Sequence, residues 1–179
     1  MRLVATEYLT LDGVFEEPGT WSLPYFDEQA SQFKYGELQA SDALLLGRRT
    51  YDGFAAAWPT MKGTGDFGVK MNSMPKYVVT STPGELGWSG SKRISGDVAA
   101  EVRKLKAVPG KDLLLAGSAQ LFNALVRAGL IDVYRFMTHP IVLGKGKKLF
   151  ADGNEQKGLR LVETKVFSKG IVVLEYEPA

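Results

Sequence analysis

The stretch DLLLAGSAQLFNALV, residues 112–126, decides how this chain is read. Leu113, Leu114, Leu115 and Ala116 form an apolar run too short for a helix and preceded by a charged pair, so they predict a buried strand. Gly117 stops it. Ser118 then caps a predicted helix whose apolar residues Leu121, Phe122, Leu125 and Val126 share one face. Such a junction leaves the first amides of the helix unpaired around one spot, with roughly half a positive charge there from the peptide dipoles. That spot suits a phosphate. Strand-glycine-helix junctions that bind nothing are common in α/β proteins, but a second one strengthens the reading. ALLLGRRTYDGF, residues 43–54, repeats the design and places Arg48, Arg49 and Thr50 in the first helical turn. Two such turns, one carrying two guanidiniums, point to a ligand with more than one phosphate.

Working outward, Leu3–Leu11 predicts a first strand, stopped by the turn residues Asp12 and Gly13. Val14–Pro24, with Pro18, Gly19 and Trp21, predicts a long loop without regular structure. Helical spacing of Phe26, Ala30 and Phe33 predicts a helix from near Asp27 to Ala40, followed by the strand Ala43–Leu46. Between Trp58 and Met74 the glycines and Pro59 predict a mobile flap with one short helix near Val69–Asn72. Lys76–Thr80 predicts a third strand that runs into the hydroxyl cluster Thr80, Ser81 and Thr82. A short strand closes at Ile94, and Asp97 caps a helix reaching Lys106. Val133–Val142 predicts a long strand in which Pro140 implies a sheet edge or a bulge. Gly144–Lys148 is a basic turn, and Leu159–Phe167 with Ile171–Tyr176 predict a terminal hairpin.

Alternating strands and helices followed by a hairpin give one α/β domain over residues 1–179, with a mostly parallel central sheet, an antiparallel C-terminal end and helices on both faces. Ligands of such sheets bind at the carboxyl ends of the strands, where Gly47, Thr80–Thr82 and Gly117 all stand. Guanidiniums, hydroxyls and an open helix terminus together suit a dinucleotide with an extra phosphate.

With 22 Lys plus Arg against 20 Asp plus Glu, the net charge of +2 argues against a general nucleic-acid binder. No cysteine is present and His139 is the only histidine, which excludes disulfides, thiol catalysis and zinc sites built on Cys or on several His. A serine triad would have to use His139. No metal site is expected. No leader precedes the first strand and no apolar run approaches the ~20 residues of a membrane span, so the expectation is a cytoplasmic protein without membrane partners.

The pieces LTLDG (9–13), LLLGRRTYDGF (44–54), MPKYVVTST (74–82), LLLAGSAQLFNALVRAGLIDVYRF (113–136) and HPIVLGKGKKLF (139–150) resemble, in this order, the dihydrofolate reductase fold. The resemblance is closest to its branch containing the reductase domain of bacterial riboflavin biosynthesis. It implies NADPH as cofactor, with Gly47, Arg48 and Thr50 along its phosphates, Thr80, Ser81 and Thr82 at the ribose 2′-phosphate, and Gly117, Ser118, Ala119 and Gln120 at the pyrophosphate. Folate reductases usually carry two glycines at the last turn, and here the pair is Ala116 and Gly117. On the substrate side the resemblance implies a carboxylate on the first helix, where Asp27 or Glu28 stands, with Asp27 the candidate catalytic residue, and Asp12 of the LDG turn is a second candidate. Among Tyr25, Phe26 and Trp58, Asp27 is expected to have a raised pKa and to relay a proton, although acids are favoured in a first helical turn regardless of function. His139 reads as structural. The functions implied are an NADPH-dependent reductase of a small heterocycle, imine or carbonyl; the 5-amino-6-(5-phosphoribosylamino)uracil reductase of riboflavin biosynthesis; or a non-catalytic nucleotide-binding module. A homodimer is implied by the same resemblance.

Overall fold

A computed structural model describes residues 1–152 and 155–179. Eight strands form one sheet: β1 (Leu3–Thr10), β2 (Ser41–Gly47), β3 (Lys76–Val79), β4 (Ser91–Ile94), β5 (Asp112–Leu115), β6 (Val133–His139), β7 (Leu159–Val166) and β8 (Val172–Pro178). Their spatial order is β4-β3-β2-β5-β1-β6-β8-β7. The pairings from β4 across to β6 are parallel, while β8 runs antiparallel to both β6 and β7. Parallel strands need helical crossovers, and here they are α1 (Glu28–Gln39), α2 (Arg48–Ala57), α3 (Gly65–Ser73), α4 (Val98–Ala107) and α5 (Ala119–Arg127).

Strands covered on both faces are apolar throughout, which is why the LLL runs of β2 and β5 sit at the centre. One face packs Leu45, Leu113 and Leu115 on Val102 of α4 and on Leu121, Phe122 and Leu125 of α5. Each of those buried side chains stabilises the fold by about 2 kcal/mol. The other face packs Val4, Leu44 and Leu114 on Leu38 of α1, Tyr51 of α2 and Met71 of α3. Side-chain caps start the helices where the sequence predicts them: Asp27 accepts from Ala30 N at 2.8 Å, Asp97 from Ala100 N at 3.0 Å and Ser118 from Leu121 N at 3.4 Å.

Three expectations change. Pro140 does not mark an edge, because β6 lies between β1 and β8 and ends at His139, so proline falls just past the hydrogen-bonded ladder. The open edges are β4 and β7. The flap between Trp58 and Met74 is mostly the nine-residue α3, anchored by buried Met71 and by Phe67, whose ring lies tilted with its centroid 5.4 Å from that of Trp58. The loop after β1 contains two single 3₁₀ turns, Pro18–Thr20 and Leu23–Tyr25, each begun by a proline within its first two residues.

Candidate active site

Parallel pairing of β2 with β5 puts Leu45 beside Leu115, so the turns that follow emerge side by side at the carboxyl edge of the sheet. Gly47 N donates to Gly117 O at 3.1 Å. A Cβ on Gly47 would lie 2.4 Å from Ser118 Oγ, and one on Gly117 would lie 2.8 Å from Thr50 Oγ1. The two turns therefore interlock with no room for a side chain between them. Gly117 also has φ +76°, which disfavours any other residue, and the Gly117–Ser118 peptide is cis. Both glycines are thus needed by the packing of the turns themselves. The N-termini of α2 and α5 open on the same edge as neighbours.

Around that edge the predicted residues take distinct settings. Arg48 Nε donates to both Asp52 oxygens, at 2.8 and 3.0 Å, while its Nη1 is buried without a hydrogen-bond partner. Arg49 is largely exposed, with Glu16 and Glu17 of the loop after β1 at 3.5 and 3.8 Å. Thr50 stands against Gly117. The hydroxyl trio divides. Thr80 is buried and its Oγ1 accepts from Thr82 N at 3.1 Å, whereas the Ser81 and Thr82 side chains are open to solvent. Ala119 is buried, Ser118 half-buried and Gln120 exposed.

The two candidate acids are clasps. Asp12 accepts from Thr10 Oγ1 at 2.6 Å and from the amides of Gly144 and Leu143 at 2.8 and 3.3 Å. Those bonds, the Thr10 hydroxyl first, hold its carboxyl down at about 2. Asp12 thereby ties the turn after β1 to the basic turn at 144–148. Asp27 caps α1 and accepts from Ser168 Oγ in the turn between β7 and β8. The Ser168 hydroxyl and then the Ala30 amide lower its pKa, so the expected raised value is corrected. Trp58 contributes nothing to that setting, because it packs on Phe54 and Phe67.

Glu7 at this edge escaped the sequence reading of the site, and His139, which reads as structural, lies at the same edge. β5 ends at Leu115, the partner of Ala5, but β1 continues, and Glu7 fills the space two residues on. Glu7 is 5% exposed, and its Oε1 accepts from Gly117 N at 2.8 Å. Burial pushes its carboxyl up to about 8, against the opposing pull of the Gly117 amide and Lys34. Its signal in the sequence is a lone charge within VATEYLT. His139 is fully buried among the rings of Tyr8, Trp21, Tyr25 and Phe26, at centroid distances of 5.1–6.2 Å. Its Nδ1 lies 2.9 Å from Met137 O, its Nε2 has no partner, and burial lowers its pKa. Between α1 and the strands runs a charge chain, with Lys34 on Thr6 Oγ1 and Glu37, Glu37 on Arg135, and Arg135 on Glu175. An apolar cavity of about 270 Å³ lined by Val126, Tyr134, Phe150 and Leu159 lies near the far end of α5, away from these turns.

Comparison with known proteins gives the family and the fold. The family model for the RibD C-terminal domain matches residues 2–173. An uncharacterized Bacillus subtilis protein, YyaP, is 32% identical over 181 residues, covering 98% of this chain and 94% of its own. Among solved structures, a Shewanella sp. PV-4 protein assigned provisionally to riboflavin biosynthesis superposes with a TM-score of 0.79 at 18% identity, over 100% of this chain and 99% of that one. Dihydrofolate reductase of Enterococcus faecalis, complexed with NADP(H) and RAB-propyl, gives 0.68 at 18% identity, over 99% and 96%. The deaminase/5-amino-6-(5-phosphoribosylamino)uracil reductase of Thermotoga maritima gives 0.67 at 18% identity, and this chain spans 56% of its length. The fold is that of dihydrofolate reductase, and the chain belongs to the family of the RibD C-terminal domain.

Proposed function

We propose that this protein is an NADPH-dependent reductase of a small heterocyclic, imine or carbonyl compound. The observation that carries the reading is the interlock of the two turns, which sets the N-termini of α2 and α5 side by side next to an unpartnered buried guanidinium nitrogen of Arg48. Two adjacent helix termini and a free donor suit a ligand with several phosphates. In this reading Gly47, Arg48 and Thr50 lie along the phosphates, and Gly117, Ser118, Ala119 and Gln120 at the pyrophosphate. Thr80 shapes its turn through the Thr82 amide and leaves the Ser81 and Thr82 hydroxyls for the 2′-phosphate. NADPH, when bound, supplies the hydride. Asp12 and Asp27 remain ionised at neutral pH, so they position the loops bordering the substrate rather than donate its proton. The same reading includes a homodimer and a cytoplasmic location.

A second reading, reduction of a phosphoribosylaminouracil, draws on the exposed Lys145, Lys147 and Lys148 beside the Asp12 clasp, which suit a substrate phosphate. Calorimetric titration with NADPH and NADH tests the cofactor. The extra phosphate is expected to tighten binding roughly tenfold to a hundredfold, and equal dissociation constants would remove the assignment of Ser81 and Thr82. Loss of absorbance from NADPH with each substrate class then separates a reductase from a module that only binds.

A further inference from the structure

Three acids are buried among the described residues: Glu7, Glu37 and Asp112. Glu37 has Lys34 and Arg135, and Asp112 has Arg2. Glu7 has only the Gly117 amide, which occupies one of its two oxygens. A buried carboxyl with no cation is stable when it keeps its proton. Its electrostatic neighbours are Lys34 and Glu37 of α1, which act in opposite directions, and burial outweighs both. Lys34 is engaged by Thr6 Oγ1 and Glu37, Glu37 also by Arg135 of β6, and Arg135 by Glu175 of β8. From the turn after β5, the group that meets Glu7 is the Gly117 peptide.

We propose that Glu7 is a positioning residue for the cofactor: as a neutral acid it holds the Gly117 peptide beneath the phosphates, and its ionisation drives the anionic ligand off. This rests on the NADPH reading above. The acid donates no hydride and transfers nothing to the ligand; it exchanges one proton with water. With the buried carboxylate one hydrogen bond from the turn, a pyrophosphate on the amides of Ser118–Gln120 would face a second negative charge that little water screens on the Glu7 side. Linkage then requires the converse. The bound anion makes Glu7 hold its proton more strongly, so binding above neutral pH takes a proton up.

Calorimetry of the full chain with NADPH, from about pH 6.5 to about pH 9.5 and in buffers of different ionisation enthalpy, reads both effects. In the wild type the affinity is expected to fall by up to about tenfold per pH unit once Glu7 titrates, with proton uptake on binding. Glu7→Gln keeps an oxygen for the Gly117 amide and has no proton to lose, so its affinity is expected to stay flat and its uptake to vanish. Lys76, whose burial lowers its pKa to about 8, titrates in the same window but sits at the start of β3, away from the carboxyl edge, and is unchanged in the variant. Wild-type binding with no proton uptake overturns the proposal without any variant. The same pH dependence in Glu7→Gln overturns it while leaving the NADPH reading intact. Absence of NADPH binding at every pH overturns both.

Discussion

Replacing Glu7 with Gln is expected to stabilise the apo protein at neutral and higher pH while destabilising it by about 1–3 kcal/mol near pH 4. The carboxyl has an ordinary value of 4.5 and is pushed up to about 8 in the folded chain. Below 4.5 both folded and unfolded states hold the proton, so it favours neither. Between 4.5 and 8 the unfolded chain releases the proton and the folded chain keeps it, and stability falls as pH rises. Above 8 both states are ionised and the loss is complete. The difference, 8 minus 4.5, is about 3.5 units at about 1.4 kcal/mol each, or roughly 5 kcal/mol in full. Gln has no such term. Its amide nitrogen takes the place of the second oxygen and needs a partner, a cost of about 1–3 kcal/mol that does not vary with pH. Urea unfolding of wild type and Glu7→Gln at about pH 5, 6.5 and 8 isolates the variable part. The gap should move in favour of Gln by roughly 4 kcal/mol across that range. His139 and Lys76 are common to both proteins and cancel. A gap that stays constant from pH 5 to 8 would mean that Glu7 is ionised in the fold and that its buried setting has been misread.

Gly117→Ala must place a methyl 2.8 Å from Thr50 Oγ1 at a φ of +76°, so thermal denaturation should show a loss of about 1 kcal/mol or more. A Thr50→Ala background should recover the clash and leave the backbone part, and an unchanged melting temperature in Gly117→Ala refutes the interlock. Arg48→Ala should weaken NADPH binding by about tenfold, yet hardly alter apo melting, because the exposed pair with Asp52 contributes only roughly 0.3–0.5 kcal/mol. A large drop in apo stability would make Arg48 structural. Asp12→Asn should speed hydrogen exchange at the Gly144 amide, and protection equal to wild type would show that the clasp is not held by the anion. Sedimentation of the full chain should give a dimer. The open edge β7 exposes Leu161, Val162 and Val166, and a monomer at micromolar concentration ends the homodimer reading.

Much of the fold was legible because its signals are local. The LLL runs of β2 and β5 mark strands covered on both faces, and Asp27, Asp97 and Ser118 cap helices within three residues of themselves. Pro140 misled because proline reports only that a ladder bond is missing, and a ladder that has just ended at His139 gives the same signal as an edge. In Trp58–Met74 the glycines weakened the helical pattern, and α3 is held by contacts of Phe67 and Met71 that lie outside any short window.

The site divides along the same line. Gly47 and Gly117 announce themselves as turn residues, but that they are bare to accommodate Ser118 and Thr50 depends on β2 lying beside β5. The acids invert the expectation for a related reason. Asp12 and Asp27 stand next to turns, where backbone amides and hydroxyls are plentiful, and that supply lowers their pKa and makes them anions. A raised carboxyl needs the opposite, a strand interior with few donors, and only the sheet order creates it. Glu7 meets that condition because β5 stops at Leu115 and leaves it one amide, 110 residues away in sequence. The acid nearest the phosphate-suited turn is therefore the one whose charge depends most on the tertiary fold, which is why its proton, rather than that of Asp12 or Asp27, is the one to follow in testing the proposed cofactor site.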